Sequence, residues 1–108
     1  MSKISFEYKG TNYTLEYTRD SARALQLAGF DDSKIATQEL VMIPLLFKYS
    51  FLEHHKNIRG AVIDEIFDHL TNKQPLMEKL AEMYYNTVST LTDEPEDDSG
   101  KVEWTVSG

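Results

Sequence analysis

The chain has 108 residues, a formal net charge of −7 at neutral pH and no cysteine. That length suits one domain with a modest core, and the lack of cysteine excludes disulfides, thiolate catalysis and Cys-ligated zinc together while suiting a reducing compartment. Residues 1–92 hold 12 acidic and 10 basic side chains and residues 93–108 hold six and one, so the body is nearly neutral and lacks the basic face on which nucleic-acid binding relies.

The N-terminus, MSKISFEYKG, has no apolar run of signal-peptide length, and no segment reads as a membrane span. Residues 3–18, KISFEYKGTNYTLEYT, alternate apolar and polar on both sides of Gly10-Thr11, the pattern of a β-hairpin. With those two residues as a type II′ loop, Tyr8 faces Tyr13, Phe6 faces Leu15 and Ile4 faces Tyr17, all six on one side. Such a hairpin is marginal alone, so its aromatic face needs helices beneath it.

Thr18 is placed to cap a short helix over about 19–28, with Asp20 in its first turn, Ala22, Leu25 and Ala28 inward and Gly29 as the stop. After a loop anchored by Phe30 and Ile35, the most apolar stretch, ELVMIPLLFKYSFLEHH, predicts a central helix over about 38–55 with a distortion at Pro44. At helical spacing Leu40, Ile43, Leu46, Phe47 and Phe51 form one face, and Val41, Leu45, Tyr49 and Leu52 form the opposite one. Apolar on both sides, this helix has to be covered on both sides, by the rest of the chain or by another one. Asn57 is a natural cap for a helix over about 58–70, where Val62, Ile63, Ile66, Phe67 and Leu70 repeat at helical spacing with Asp64, Glu65, Asp68 and His69 outside. A last helix runs over about 75–91, with Pro75 in its first turn and Leu76, Leu80, Met83, Tyr84, Thr87, Val88 and Leu91 inward.

Composition then changes. DEPEDDSG reads as the start of a disordered acidic tail over 93–108. Beyond it Val102, Trp104 and Val106 alternate with Lys101, Glu103 and Thr105, which predicts a short strand over 102–106, either docked on the hairpin edge or added to a partner. The expected architecture is α+β and mainly α: one domain over 1–92, an N-terminal β-hairpin on a bundle of about four helices.

Candidate chemistry is sparse. His54, His55, Asp64, Asp68 and His69 are the residue types of a metal or acid–base centre. Their spacing favours the plainer reading: adjacent histidines diverge on a helix, no HExxH spacing occurs, and Glu65 with His69 is an ordinary i, i+4 pair. There is no glycine-rich phosphate loop and no GxSxG elbow. The expectation is a protein that is not an enzyme and that uses no metal and no cofactor.

The succession ISFEYKGTNYTLEYT, TRDSARALQLAGF, MIPLLFKYSFLEHH, VIDEIFDHL, LAEMYYNT and LTDEPEDDSGKVEW resembles, over nearly the whole chain, the small tail assembly chaperones of long-tailed bacteriophages and prophages of Gram-positive hosts. The likeness rests on the run of apolar and acidic segments and carries over no catalytic residue. It implies a helper, in the bacterial host cytoplasm and absent from the finished virion, that coats the tape measure protein, keeps its apolar helices soluble and recruits tail tube subunits. In that family a programmed frameshift near the gene's end often yields a longer product, and the acidic segment before Trp104 is similar to where such a junction would lie. The protein-binding candidates are Leu45, Tyr49 and Leu52 on the second face of the central helix, with Val102, Trp104 and Val106 in the tail; a homo-oligomer is another way of covering that face. The alternative function is a small acidic phage regulator that mimics DNA and inhibits a host nucleic-acid enzyme.

Overall fold

The computed structural model describes residues 3–92 and 104–106. An antiparallel hairpin of β1 (Ile4–Tyr8) and β2 (Thr11–Leu15) leads into four helices, α1 (Arg19–Leu27), α2 (Glu39–Tyr49), α3 (Gly60–His69) and α4 (Lys73–Ser89). This is the expected mainly α, α+β architecture. Among the described residues no helix is long and apolar enough to cross a membrane.

The hairpin forms with a different turn from the one expected. Lys9 and Gly10 are the loop, both at positive φ (+49° and +79°), and Ile4 pairs with Leu15, Phe6 with Tyr13 and Tyr8 with Thr11. Two consecutive positive φ angles are the mark of a type I′ turn, whose twist matches that of the strands. The pairing moves by two residues, so the apolar face predicted by alternation keeps its side. Tyr17 is released from the strand and enters the core. Phe6 stacks on Tyr13 with centroids 5.5 Å apart, and both meet the edge of Phe51.

Thr18 caps α1 as expected, and Ser21 returns the favour: Ser21 N–H donates to Thr18 Oγ1 at 3.3 Å and Thr18 N–H to Ser21 Oγ at 2.8 Å, a capping box built on serine. Ala22 and Leu25 are buried, but Ala28 is exposed and Ser21 takes the inward place. Gly29, at φ +104°, ends the helix.

The central helix is shorter than its apolar pattern. It starts at Glu39, runs through Pro44 and gives way after Tyr49 to tight turns in which Ser50, Phe51 and Leu52 donate to Phe47, Lys48 and Tyr49. Pro44 cannot donate to the Leu40 carbonyl, but Leu40 and Pro44 are exposed, so the unpaired carbonyl is not buried at the cost a core position would carry. Met42, Leu46, Phe47 and Phe51 are buried at the centre of the core, whereas Leu40, expected on that face, is 94% exposed.

The other boundaries also move. Arg59, not Asn57, occupies the cap position of α3, which begins at Gly60 with no side-chain cap. Asn72, in the left-handed region at φ +53°, precedes α4 and makes Pro75 its third residue, where a missing N–H costs nothing. Ile63 and Ile66 of α3 and Met77, Leu80, Met83 and Tyr84 of α4 are buried, while Leu91, expected inward, is exposed. α1, α2 and α4 pack on one another and α3 lies against α2. Most of the expected tail lies outside the described residues; Trp104–Val106 belong to no strand.

Candidate functional site

The segment from Thr14 to Thr18 runs along the end of α2 and the turns that follow it. Because Ser50 N–H turns to Phe47, the Leu46 carbonyl has no donor within its helix, and the buried Tyr17 hydroxyl donates to it. Glu16 N–H donates to the Ser50 carbonyl at 3.0 Å, and Thr14 N–H to His55 Nε2 at 3.0 Å. The Glu16 carboxylate, itself buried, accepts from His54 Nε2 at 2.7 Å, and Lys3 stands 4.0 Å away on its rim. Thr18 Oγ1 donates to Glu53 at 3.1 Å. This tertiary competition for backbone groups explains why the helix stops near residue 49.

These bonds account for the residues that had looked like chemistry. His54 and His55, in the turns after α2, fasten the end of β2 and the residue that follows it. Since His55 Nε2 accepts a hydrogen bond it is unprotonated, and burial, followed by the neighbouring His54, lowers its pKa from the ordinary 6.5. Burial, and secondarily Tyr84, likewise raise the Tyr17 phenol well above its usual range. His69 sits at the hairpin tip, where its Nδ1 donates to the Glu65 carbonyl at 2.8 Å. There Tyr8 donates to the Glu65 carboxylate at 3.0 Å and Lys9 pairs with it at 3.2 Å; these bonds, those to Tyr8 first, hold its pKa below the usual carboxylate value. Asp64 and Asp68 are exposed on α3. Among the described residues no three His, Cys, Asp or Glu side chains are grouped to hold a metal ion.

Of the candidate binding residues, Leu45, Tyr49 and Leu52 are half-buried. Leu45 and Tyr49 pack against the core, and Tyr49 and Leu52 border a shallow groove with Ile58 and Ile63, so the approach to α3 covers part of this face. At the other end of α2, Leu40 is 94% and Val41 53% exposed, and Leu27, Tyr85 and Leu91 are exposed elsewhere on the helices. Sequence reading sets Val41 on the second face of the helix but Leu40 on the core face; in the first turn of α2 nothing among the described residues packs over Leu40, so it stays exposed. Between α2 and the start of α4 lies a groove of about 520 Å³ floored by Ile35, Ile43, Leu46, Met77 and Ala81. Glu39, Lys73, Gln74 and Glu78 form its polar rim. A second cavity of about 550 Å³, between the start of α1 and the end of α4, is bordered by Tyr17, Met83, Thr87 and Arg19. Trp104 and Val106 are 80% and 85% exposed; Val102 lies outside the described residues.

An apolar floor with a polar rim is suited to the apolar face of an amphipathic helix, whereas the three histidines, Glu16 and Glu65 are taken up in contacts that hold the hairpin and the segment after it. No curated protein and no solved structure matches the chain. A family model described as a domain of unknown function, DUF5055, matches residues 1–107, and the chain belongs to that family.

Proposed function

We propose that the protein is a non-enzymatic phage tail assembly chaperone, which binds apolar helices of the tape measure protein and helps recruit tail tube subunits. On this reading it acts in the bacterial host cytoplasm and is left out of the finished virion. The observation that carries the reading is the groove between α2 and α4, together with the exposed Leu40 one turn before Ile43 of its floor. Leu40 is three residues before Ile43, so the two share a helix face, and Leu40 extends the apolar floor out to solvent. A client helix laid there would bury side chains at i, i+3, i+4 and i+7 while its charged residues meet Glu39, Lys73 and Glu78. The resemblance of the successive segments to tail assembly chaperones supplies the identity of the client.

Co-expression tests this directly. A long-tailed phage's tape measure protein co-expressed with this chain should be recovered in the soluble fraction and co-purify with it. A client that stays insoluble and forms no complex defeats the proposal.

A further inference from the structure

The two edges of the hairpin differ. In an antiparallel pair closed by a two-residue turn, alternate residues aim their N–H and C=O groups at the partner strand and the others aim them outward. Tyr8 with Thr11, Phe6 with Tyr13 and Ile4 with Leu15 are the inward pairs. The outward groups then belong to Ser5 and Glu7 on β1 and to Asn12 and Thr14 on β2. The β2 side is engaged beyond Asn12, because Thr14 N–H donates to His55 and Glu16 N–H, next along the same edge, to Ser50. On the β1 side no hydrogen bond among the described residues reaches the backbone of Ser5 or Glu7.

An unpaired edge is a template for another strand. Beneath it Ile4, Phe6 and Tyr8 are half-buried on the core, so a strand that alternates apolar residues would continue their face. The chain carries such a segment beyond its helices, with Val102, Trp104 and Val106 alternating with Lys101, Glu103 and Thr105. Its Trp104, the chain's one tryptophan, and Val106 have little cover of their own.

We propose that the outer edge of β1 is a strand-docking site and that its occupant is the chain's own Val102–Val106 segment. Trp104 follows Thr92 by 12 residues, which span up to about 40 Å when extended, enough to cross the body. A tether of this kind gives an effective concentration on the order of millimolar, which favours the chain's own segment over a second copy at micromolar protein. Charge selects the register. With the added strand antiparallel and Trp104 opposite Ile4, Lys101 lies across from Glu7; one step along, with Trp104 opposite Phe6, Glu103 meets Glu7 and Lys101 meets Lys9.

Amide hydrogen exchange on the full chain tests this. Ser5 and Glu7 N–H should exchange at least about tenfold more slowly in the native sequence than in a Trp104→Ser/Val106→Ser variant. Both substituted side chains are exposed, so the variant keeps its fold. In the native protein Trp104 emission should be blue-shifted, and Glu7→Pro, which deletes an outward donor without touching the ladder to β2, should shift it back to the red. Fast exchange at Ser5 and Glu7 with a water-like Trp104 spectrum overturns the proposal, as does protection that is unchanged in the variant. Protection that grows with protein concentration alongside a dimer also overturns it and assigns the edge to a second copy.

Discussion

The Leu46 carbonyl sits in the interior without a helical donor, and the Tyr17 hydroxyl is what satisfies it. Tyr17→Phe keeps the ring in the core and removes only that donor, so a buried acceptor is left unpaired and stability should fall by about 1–3 kcal/mol in urea unfolding. His55 acts by the opposite logic, as an acceptor that must remain neutral. The unfolded chain takes up a proton on this imidazole near pH 6.5, and the folded chain only at lower pH. In that window the unfolded state holds more protons. Its contribution is therefore fully present above about pH 6.5 and lost as pH falls through the folded value. His55→Gln retains an oxygen that can accept from Thr14 but does not titrate, so the drop in urea midpoint between about pH 7.5 and about pH 5.5 should be smaller in the variant. Neither role was legible in the sequence. Alternation placed Tyr17 on the strand's apolar face, and the histidines were weighed as ligands, because what each one bonds lies about 30 to 40 residues away.

Period-two and helical spacing located both strands, all four α-helices and the side of the hairpin that faces the core, because burial acts on each residue of a repeating pattern. Boundaries depend on one or two backbone groups and so were harder to read. The apolar pattern of α2 continues through Phe51 and Leu52, but the helix ends near Tyr49 because Glu16 and Tyr17 take hydrogen bonds that a longer helix would keep. Similarly, Gly10 was read as the first loop residue and is the second. The distinction is testable, since a Cβ at Gly10 would meet no atom within 4 Å, while its φ of +79° is one that only glycine adopts freely. Gly10→Ala should therefore lower stability by about 1–2 kcal/mol through the backbone alone. Lys9→Asn should raise it by a few tenths of a kcal/mol, because Asn-Gly is the favoured type I′ pair and the Lys9–Glu65 contact given up is an exposed one. Thermal unfolding of the two variants measures both signs, and a type II′ loop at Gly10-Thr11 would make the Asn substitution neutral.

For the whole molecule, the question posed by the sequence was what covers the second face of the central helix. The structure divides that face in two. Its later part, Tyr49 and Leu52, borders Ile58 and Ile63, and Tyr49 packs on the core, so charge placed at Tyr49 should destabilise the fold by about 1–3 kcal/mol. Its first turn is open, and Leu40, from the face expected to be core, is open with it. A Leu40→Glu/Val41→Glu variant removes no core contact, and unfolding should show a change within about 0.5 kcal/mol. The same variant puts a carboxylate at Leu40, beside the floor on which the proposed client helix lays its apolar face, and burying an unpaired carboxylate costs several kcal/mol. Recovery of the tape measure protein in the soluble complex should then fall at least about tenfold, with circular dichroism and melting temperature unchanged. Intact recovery would place the client elsewhere, with the cavity between α1 and α4 as the next surface to charge. A variant that melts early would instead return Leu40 and Val41 to the core.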